Sequence, residues 1–196
     1  SMAVGQYLLG LAETNPLYPF ILVSLLVGCA IVPVSLTRSL APVPVPATRF
    51  SFSKLYRRSH TAFAGGLGSG VITGSFWALG AIYVLAQTND PSFVPAFIAA
   101  NIIGGALAQY PIGMASDRID RRFVLSALCA ASGLSAFGLL YAETQQELLL
   151  GAFAFGAAAN SLYAISLAKA ADNSKRDEFV TLGSSVLLLC ALGSAG

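Results

Sequence analysis

Long apolar runs broken by short polar connections set the pattern of this chain. They cover Leu17 to Leu36, about Thr61 to Ala86, Phe93 to Ala115, Phe123 to Ala142 and Leu148 to Ala168; another begins near Phe179 and reaches Gly196. Each is close to the roughly 20 residues that a helix needs to cross a hydrocarbon core of about 30 Å. None alternates apolar and polar positions as transmembrane strands of about 10 residues do. None has the short apolar stretch and cleavage site of a secretory signal. In lipid every backbone polar group must bond internally, so the runs predict helices even where Val, Gly and Pro lower helix propensity. Residues 3–12 read as the tail of a preceding helix, and the chain is therefore expected to be a piece of something longer.

Composition agrees with the pattern. Apolar residues make up 56% of the 196 and charged residues 10%, with a mean hydropathy of +0.72. A soluble domain carries about 25% charged residues to keep its surface wet, so the expected solvent is a bilayer. The net charge of +2 comes without a basic block dense enough for nucleic acid. Cys29, Cys129 and Cys190 sit singly within apolar runs, a pattern of buried thiols rather than of a disulfide framework or metal site.

The charges test the span count independently. Arg38, Arg49, Lys54, Arg57 and Arg58 lie between the first and second runs; Arg118, Arg121 and Arg122 between the third and fourth; Lys169, Lys175 and Arg176 around the last connection. Together these are all 11 Lys and Arg residues, and the alternate connections hold only Glu13, Asp90, Glu143 and Glu147. Alternating helices put every basic residue on one face, which the positive-inside rule makes cytoplasmic. The longest connection, Thr37 to Ser59, opens with Ala41-Pro42-Val43-Pro44-Val45-Pro46, held extended by its prolines. Phe50, Phe52, Leu55 and Tyr56 then interleave with Arg49, Lys54, Arg57 and Arg58. This segment suits either the headgroup region or a solvated basic tether.

At the end of the third run the chain reads Gln109-Tyr-Pro-Ile-Gly113-Met-Ala-Ser-Asp117-Arg118-Ile-Asp120-Arg121-Arg122. A short loop with interleaved carboxylates and guanidiniums can pair with itself and with the end of a neighbouring helix. Asp117 is expected to gain from a helix N-terminus, where the macrodipole is positive. Gly113, Asp117, Arg118, Arg121 and Arg122 resemble G-x-x-x-D-R-x-G-R-[RK], the signature cytoplasmic loop of the major facilitator superfamily. Asp120 departs from the usual glycine; aspartate also tolerates turns and can cap the next helix. The departure resembles the degenerate second-half copy of the motif.

The resemblance implies a fold and a function. The fold is an all-α membrane bundle of about six transmembrane helices, mainly the C-terminal half of a transporter, running from the end of the fifth helix to the eleventh. Residues 1–36 are the end of the N-terminal bundle, 37–59 the central cytoplasmic loop and 60–196 the C-terminal bundle. The segment from Leu162 to Asn173 is similar to the end of the tenth helix in a bacterial branch, which implies the inner membrane. The implied function is secondary active transport of a small solute by alternating access, with the motif as a conformational latch. The implied partners are that solute, the bilayer and the missing N-terminal helices; no cofactor is expected.

Inside the spans, Gly66, Gly70 and Gly74 share one helix face at four-residue spacing, which lets a neighbour approach closely. Trp77 lies deep in its span, away from the interface where tryptophan normally sits, and with Asn101, Asn160 and Tyr163 is a candidate cavity residue. Each asparagine can bond a substrate or a facing helix. Ser161, Ser184 and Ser185 can bond their own backbone. No acidic or basic residue lies mid-span, and His60, the one histidine, marks a cytoplasmic mouth. A membrane-embedded enzyme would need a nucleophile with a base, or a metal cluster, at depth, and the sequence offers neither. A non-transporting scaffold subunit is the alternative, but it leaves the Asp-Arg loop unexplained.

Overall fold

The computed structural model describes residues 52–172 and 179–195, together with Ile21, Ser24, Leu25, Val27, Gly28, Cys29, Ile31 and Val32, which are helical and exposed. The rest of the first expected span, the tail over 3–12, the proline-rich segment, Arg38, Arg49, Lys175 and Arg176 lie outside the described residues. The described elements are α1 (Phe52–Arg58), α2 (His60–Thr88), a 3-10 turn (Pro91–Phe93), α3 (Val94–Arg118), α4 (Arg121–Leu139), α5 (Gln145–Asp172) and α6 (Phe179–Ala195). Four segments, α2, the turn with α3, α4 and α5, are long and apolar enough to cross a membrane; α6 is apolar over 17 residues.

The helices end where local chemistry ends them. Ser59 caps α2 by accepting from Ala62 N at 3.1 Å. Asn89 closes that helix in the left-handed region (φ 53°) and returns its N–H to Leu85 O. Asp90 then caps the 3-10 turn through Ser92 N at 2.9 Å. Thr144 and Glu147 form a reciprocal capping box at the start of α5: Glu147 N donates to Thr144 Oγ1 at 3.3 Å, and Thr144 N to Glu147 Oε2 at 3.1 Å. Pro95 stands in the first turn of α3, and that helix continues through Pro111. The fourth span stops at Leu139 rather than Ala142, because Leu140, Tyr141 and Ala142 bond three residues back and tighten the last turn out of α-geometry.

The most buried of the membrane-length helices is α5, and α2, α3, α4 and α6 pack around it. Two pairs approach at backbone distance. A Cβ at Gly70 would strike the backbone of Cys190, one at Gly74 would lie 2.5 Å from Ser194 Cα, and one at Gly66 would press on Val186 at 3.2 Å. These contacts advance together along both chains, so α2 and α6 run parallel. Between α3 and α5, Gly104 meets the carbonyl of Phe153 and Gly156 meets that of Asn101. Lipid tails give no hydrophobic drive to helix association, so close van der Waals contact of this kind supplies much of it. At the centre Phe76 of α2 stacks on Phe97 of α3 (5.7 Å) and Phe155 of α5 (5.4 Å). Outward positions remain apolar, among them Leu107, Leu134 and Leu150. Cys29 and Cys129 are exposed and Cys190 is half-buried, against the expectation of buried thiols. In lipid a thiol needs no burial, because the surroundings are already apolar.

Candidate functional site

The connection from α3 to α4 is only Ile119 and Asp120. Ile119 is extended, and Asp120 caps α4 by accepting from Arg122 N at 3.0 Å. That turn aims the first residue of α4, Arg121, back across two helix ends. Its guanidinium donates to Asp117 of α3 at 3.1 Å and to Asp172 of α5 at 2.9 Å. Beside it Lys169 of α5 reaches Asp120 at 3.4 Å. The two cations are the shielded partners: Arg121 is 19% exposed, against 71% and 45% for its two carboxylates. Ser116, Asp117, Asp120, Arg121, Lys169 and Asp172 line a cleft of about 280 Å³ between these ends.

The structure corrects one expectation here. Asp117 is not at a helix N-terminus; it is in the last turn of α3, and Asp120 takes the capping position. The short connection leaves room for one cap, and Asp120 is the residue directly before the first helical position. Arg118 and Arg122 are exposed at the same end of the bundle, and Gly113 lies one turn before Asp117 with nothing within 4 Å of an added Cβ. Lys169 and Asp172 were not singled out by the sequence reading. Their only signal is a basic and an acidic residue three apart at the end of the fifth span.

Asp120 is held below its ordinary value chiefly by the Arg122 N–H; desolvation opposes this, and the hydrogen bond and charge of Lys169 add to the lowering. A depressed carboxylate pKa contributes stability that is fully present above the unfolded value of about 3.9 and is lost as pH falls through the lower folded value. Acid titration of the folded protein is therefore expected to release the start of α4 below the ordinary carboxylate range. Hydrogen exchange at Arg122 and Phe123 reads this out, and Asp120→Asn should show no such acid transition.

Of the four cavity candidates, two meet. Asn160 Nδ2 lies 3.4 Å from both the backbone oxygen and Oδ1 of Asn101, and Asn101 Nδ2 donates to Ala152 O at 3.5 Å. Asn101 is 2% exposed. Tyr163 packs elsewhere, against the cluster of Leu55, Ala62 and Leu182. Trp77 sits edge-on to Phe76 at 6.2 Å and is 46% exposed. Tyr83 donates its hydroxyl to the Leu139 carbonyl, tying the C-terminal end of α2 to that of α4. Among the described residues no grouping of three or more His, Cys, Asp or Glu side chains is placed to hold a metal.

A family model for the Major Facilitator Superfamily matches residues 61–195, from the first turn of α2 to the end of α6. The chain belongs to the Major Facilitator Superfamily. It is therefore a multi-pass integral membrane protein of a transporter family and not an enzyme. Its similar proteins include the uncharacterized MFS-type transporter YcaD of Escherichia fergusonii, 25% identical over 193 residues, covering 97% of this chain and 50% of the relative. The uncharacterized MFS-type transporter YE1530 of Yersinia enterocolitica is 29% identical over 197 residues, with the same coverage of 97% and 50%. The chain thus spans about half the length of the curated relatives it matches. No solved structure matches it.

Proposed function

We propose that the chain is the C-terminal part of a secondary active transporter that moves a small solute by alternating access, residing in a bacterial inner membrane. Residues 60–196 form the C-terminal bundle, 37–59 the loop before it, and 1–36 the end of the N-terminal bundle. The observation that carries this reading is Arg121, which ties the cytoplasmic ends of α3, α4 and α5 together, with Lys169 on Asp120 beside it. Where one bundle rocks against another, a clasp that sets the helix ends of one bundle shapes the surface it offers the other half in each state. Gly113, Asp117, Arg118, Arg121 and Arg122 form the latch segment, with Asp172 as its receiving carboxylate. Asn101 and Asn160, on facing helices near mid-span, are the polar pair best placed to answer a solute; Trp77, edge-on to Phe76, and Tyr163, turned toward Leu55, stand apart from them.

Sidedness is the first requirement of this scheme. In the full-length transporter without native cysteines, an impermeant thiol reagent applied to intact cells is expected to label Asp90→Cys and Glu147→Cys and to spare Arg118→Cys. Labelling at Arg118→Cys would break the alternation of spans and take the transporter reading with it.

A further inference from the structure

One residue, Ser59, separates the end of α1 at Arg58 from the start of α2 at His60. Two Cα steps of about 3.8 Å each therefore hold α1 at the mouth of a membrane-crossing helix. A helix of 7 residues cannot hold itself together in water. Here Leu55 secures it: that side chain is 0% exposed, buried with Ala62 of α2, Ala170 of α5 and Leu182, Val186 and Leu189 of α6. The depth of α1 is thus set from both its end and its middle, on the face where the basic residues gather.

The remaining side chains divide by character. At about 100° per residue, Phe52 and Tyr56 fall to one side of Leu55, and Arg57 and Arg58 to the other. Phe52 is 37% exposed and Tyr56 51%, and both arginines are exposed. Tyr56 is held over the mouth of α2 by edge contacts with His60 at 4.4 Å and Phe63 at 5.4 Å. An apolar edge beside a basic edge, fixed at the rim of a span, has the form of an interfacial helix.

We propose that α1 is a docking surface for anionic phospholipid headgroups of the cytoplasmic leaflet. Arg57 takes the phosphate oxygens, a pairing for which the planar guanidinium is suited, and Arg58 adds its positive charge to the same edge. Phe52 and Tyr56 settle among the lipids at the level where aromatic rings partition. Charge complementarity selects this occupant, since an anionic leaflet attracts basic segments that lie within a Debye length of it. Because Leu55 is packed among α2, α5 and α6, lipid held at α1 bears on the bundle itself. The inference depends on which face is cytoplasmic and not on transport.

The test uses the full-length protein with its native cysteines replaced, bimane-labelled at Phe52→Cys, in nanodiscs of phosphatidylcholine with increasing phosphatidylglycerol. Bimane emission is expected to shift to the blue as phosphatidylglycerol is added, and the shift is expected to be lost in Arg57→Gln/Arg58→Gln. No response to phosphatidylglycerol, or a response that survives the double substitution, overturns the proposal. Mass spectrometry of lipid retained through detergent purification, on protein with Phe52 intact, gives an independent reading. The parent should retain phosphatidylglycerol that the double variant loses, and equal retention also overturns the proposal.

Discussion

Gly156→Ala is expected to destabilise the folded protein by about 1–3 kcal/mol, the range for forcing an extra methyl into a packed site. The added Cβ would strike the carbonyl oxygen, carbonyl carbon and Cα of Asn101. All three are backbone atoms inside α3, so no rotamer change can make room and the helices must separate. Separation also lengthens the reach between Asn160 and Asn101, already 3.4 Å. Alanine's higher helix propensity returns up to about 1 kcal/mol, so the net loss is smaller than the clash alone. Gly104→Ala, which meets the Phe153 backbone, is expected to behave alike. Gly133→Ala and Gly138→Ala are the controls, because a Cβ at either finds nothing within 4 Å; there only the propensity gain remains. Thermal unfolding in detergent, followed by circular dichroism, compares them. Equal melting temperatures for Gly156→Ala and Gly133→Ala would show that α3 and α5 are not in backbone contact.

How far the sequence could be read depended on the kind of signal. Spans two to five were legible because lipid demands an apolar length, and charge placement checked the count without reference to hydropathy. Span ends were less legible, since helices run on beyond the hydrocarbon: α5 continues to Asp172, four residues past the apolar run. The ridge at Gly66, Gly70 and Gly74 was visible from its four-residue spacing, and it lies against α6. Gly104, Gly105 and Gly156 were not, because a contact that uses one or two glycines per helix leaves no period. Tyr163 shows the limit at single residues. It sits one turn from Asn160, yet it turns toward Leu55 and α6, a direction set by which neighbours surround α5 rather than by anything in its own segment. The partner of Arg121 was hidden for a similar reason, since Asp172 lies 51 residues away and meets it only because α3 and α5 run side by side.

That meeting is electrostatically unusual, and it leads to the largest functional effect expected. Asp117 and Asp172 are each at the C-terminal end of a helix, where the macrodipole is negative, and Arg121 is at the N-terminal end of another, where it is positive. Every one of the three charges is misplaced for its own helix, and each carboxylate is paired with Arg121. An exposed ion pair is worth about 0–1 kcal/mol. Opening this clasp forfeits two such pairs and leaves three charges opposed by their dipoles, so the closed state is favoured by more than the pairs alone supply. Arg121→Gln in the full-length transporter is expected to raise alkylation at Ser116→Cys, a buried position lining the cleft, by about tenfold, as a loss of roughly 1.4 kcal/mol implies. Under the proposed alternating access the opposite change is expected at the other end of the bundle, a slower reaction at Thr88→Cys beside the groove there. Exchanging the charges in an Asp117→Asn background, with that single variant as the reference, separates the two contributions, because Asp117 would otherwise lose its partner and face a second carboxylate at position 121. Arg121→Asp with Asp172→Arg restores one ion pair, but it places each charge where its own helix already favours it, so the halves no longer need each other. If the double exchange returns Ser116→Cys to its slow rate, pairing alone holds the clasp. If the rate stays fast, the misplaced charges at the helix ends are what make it close.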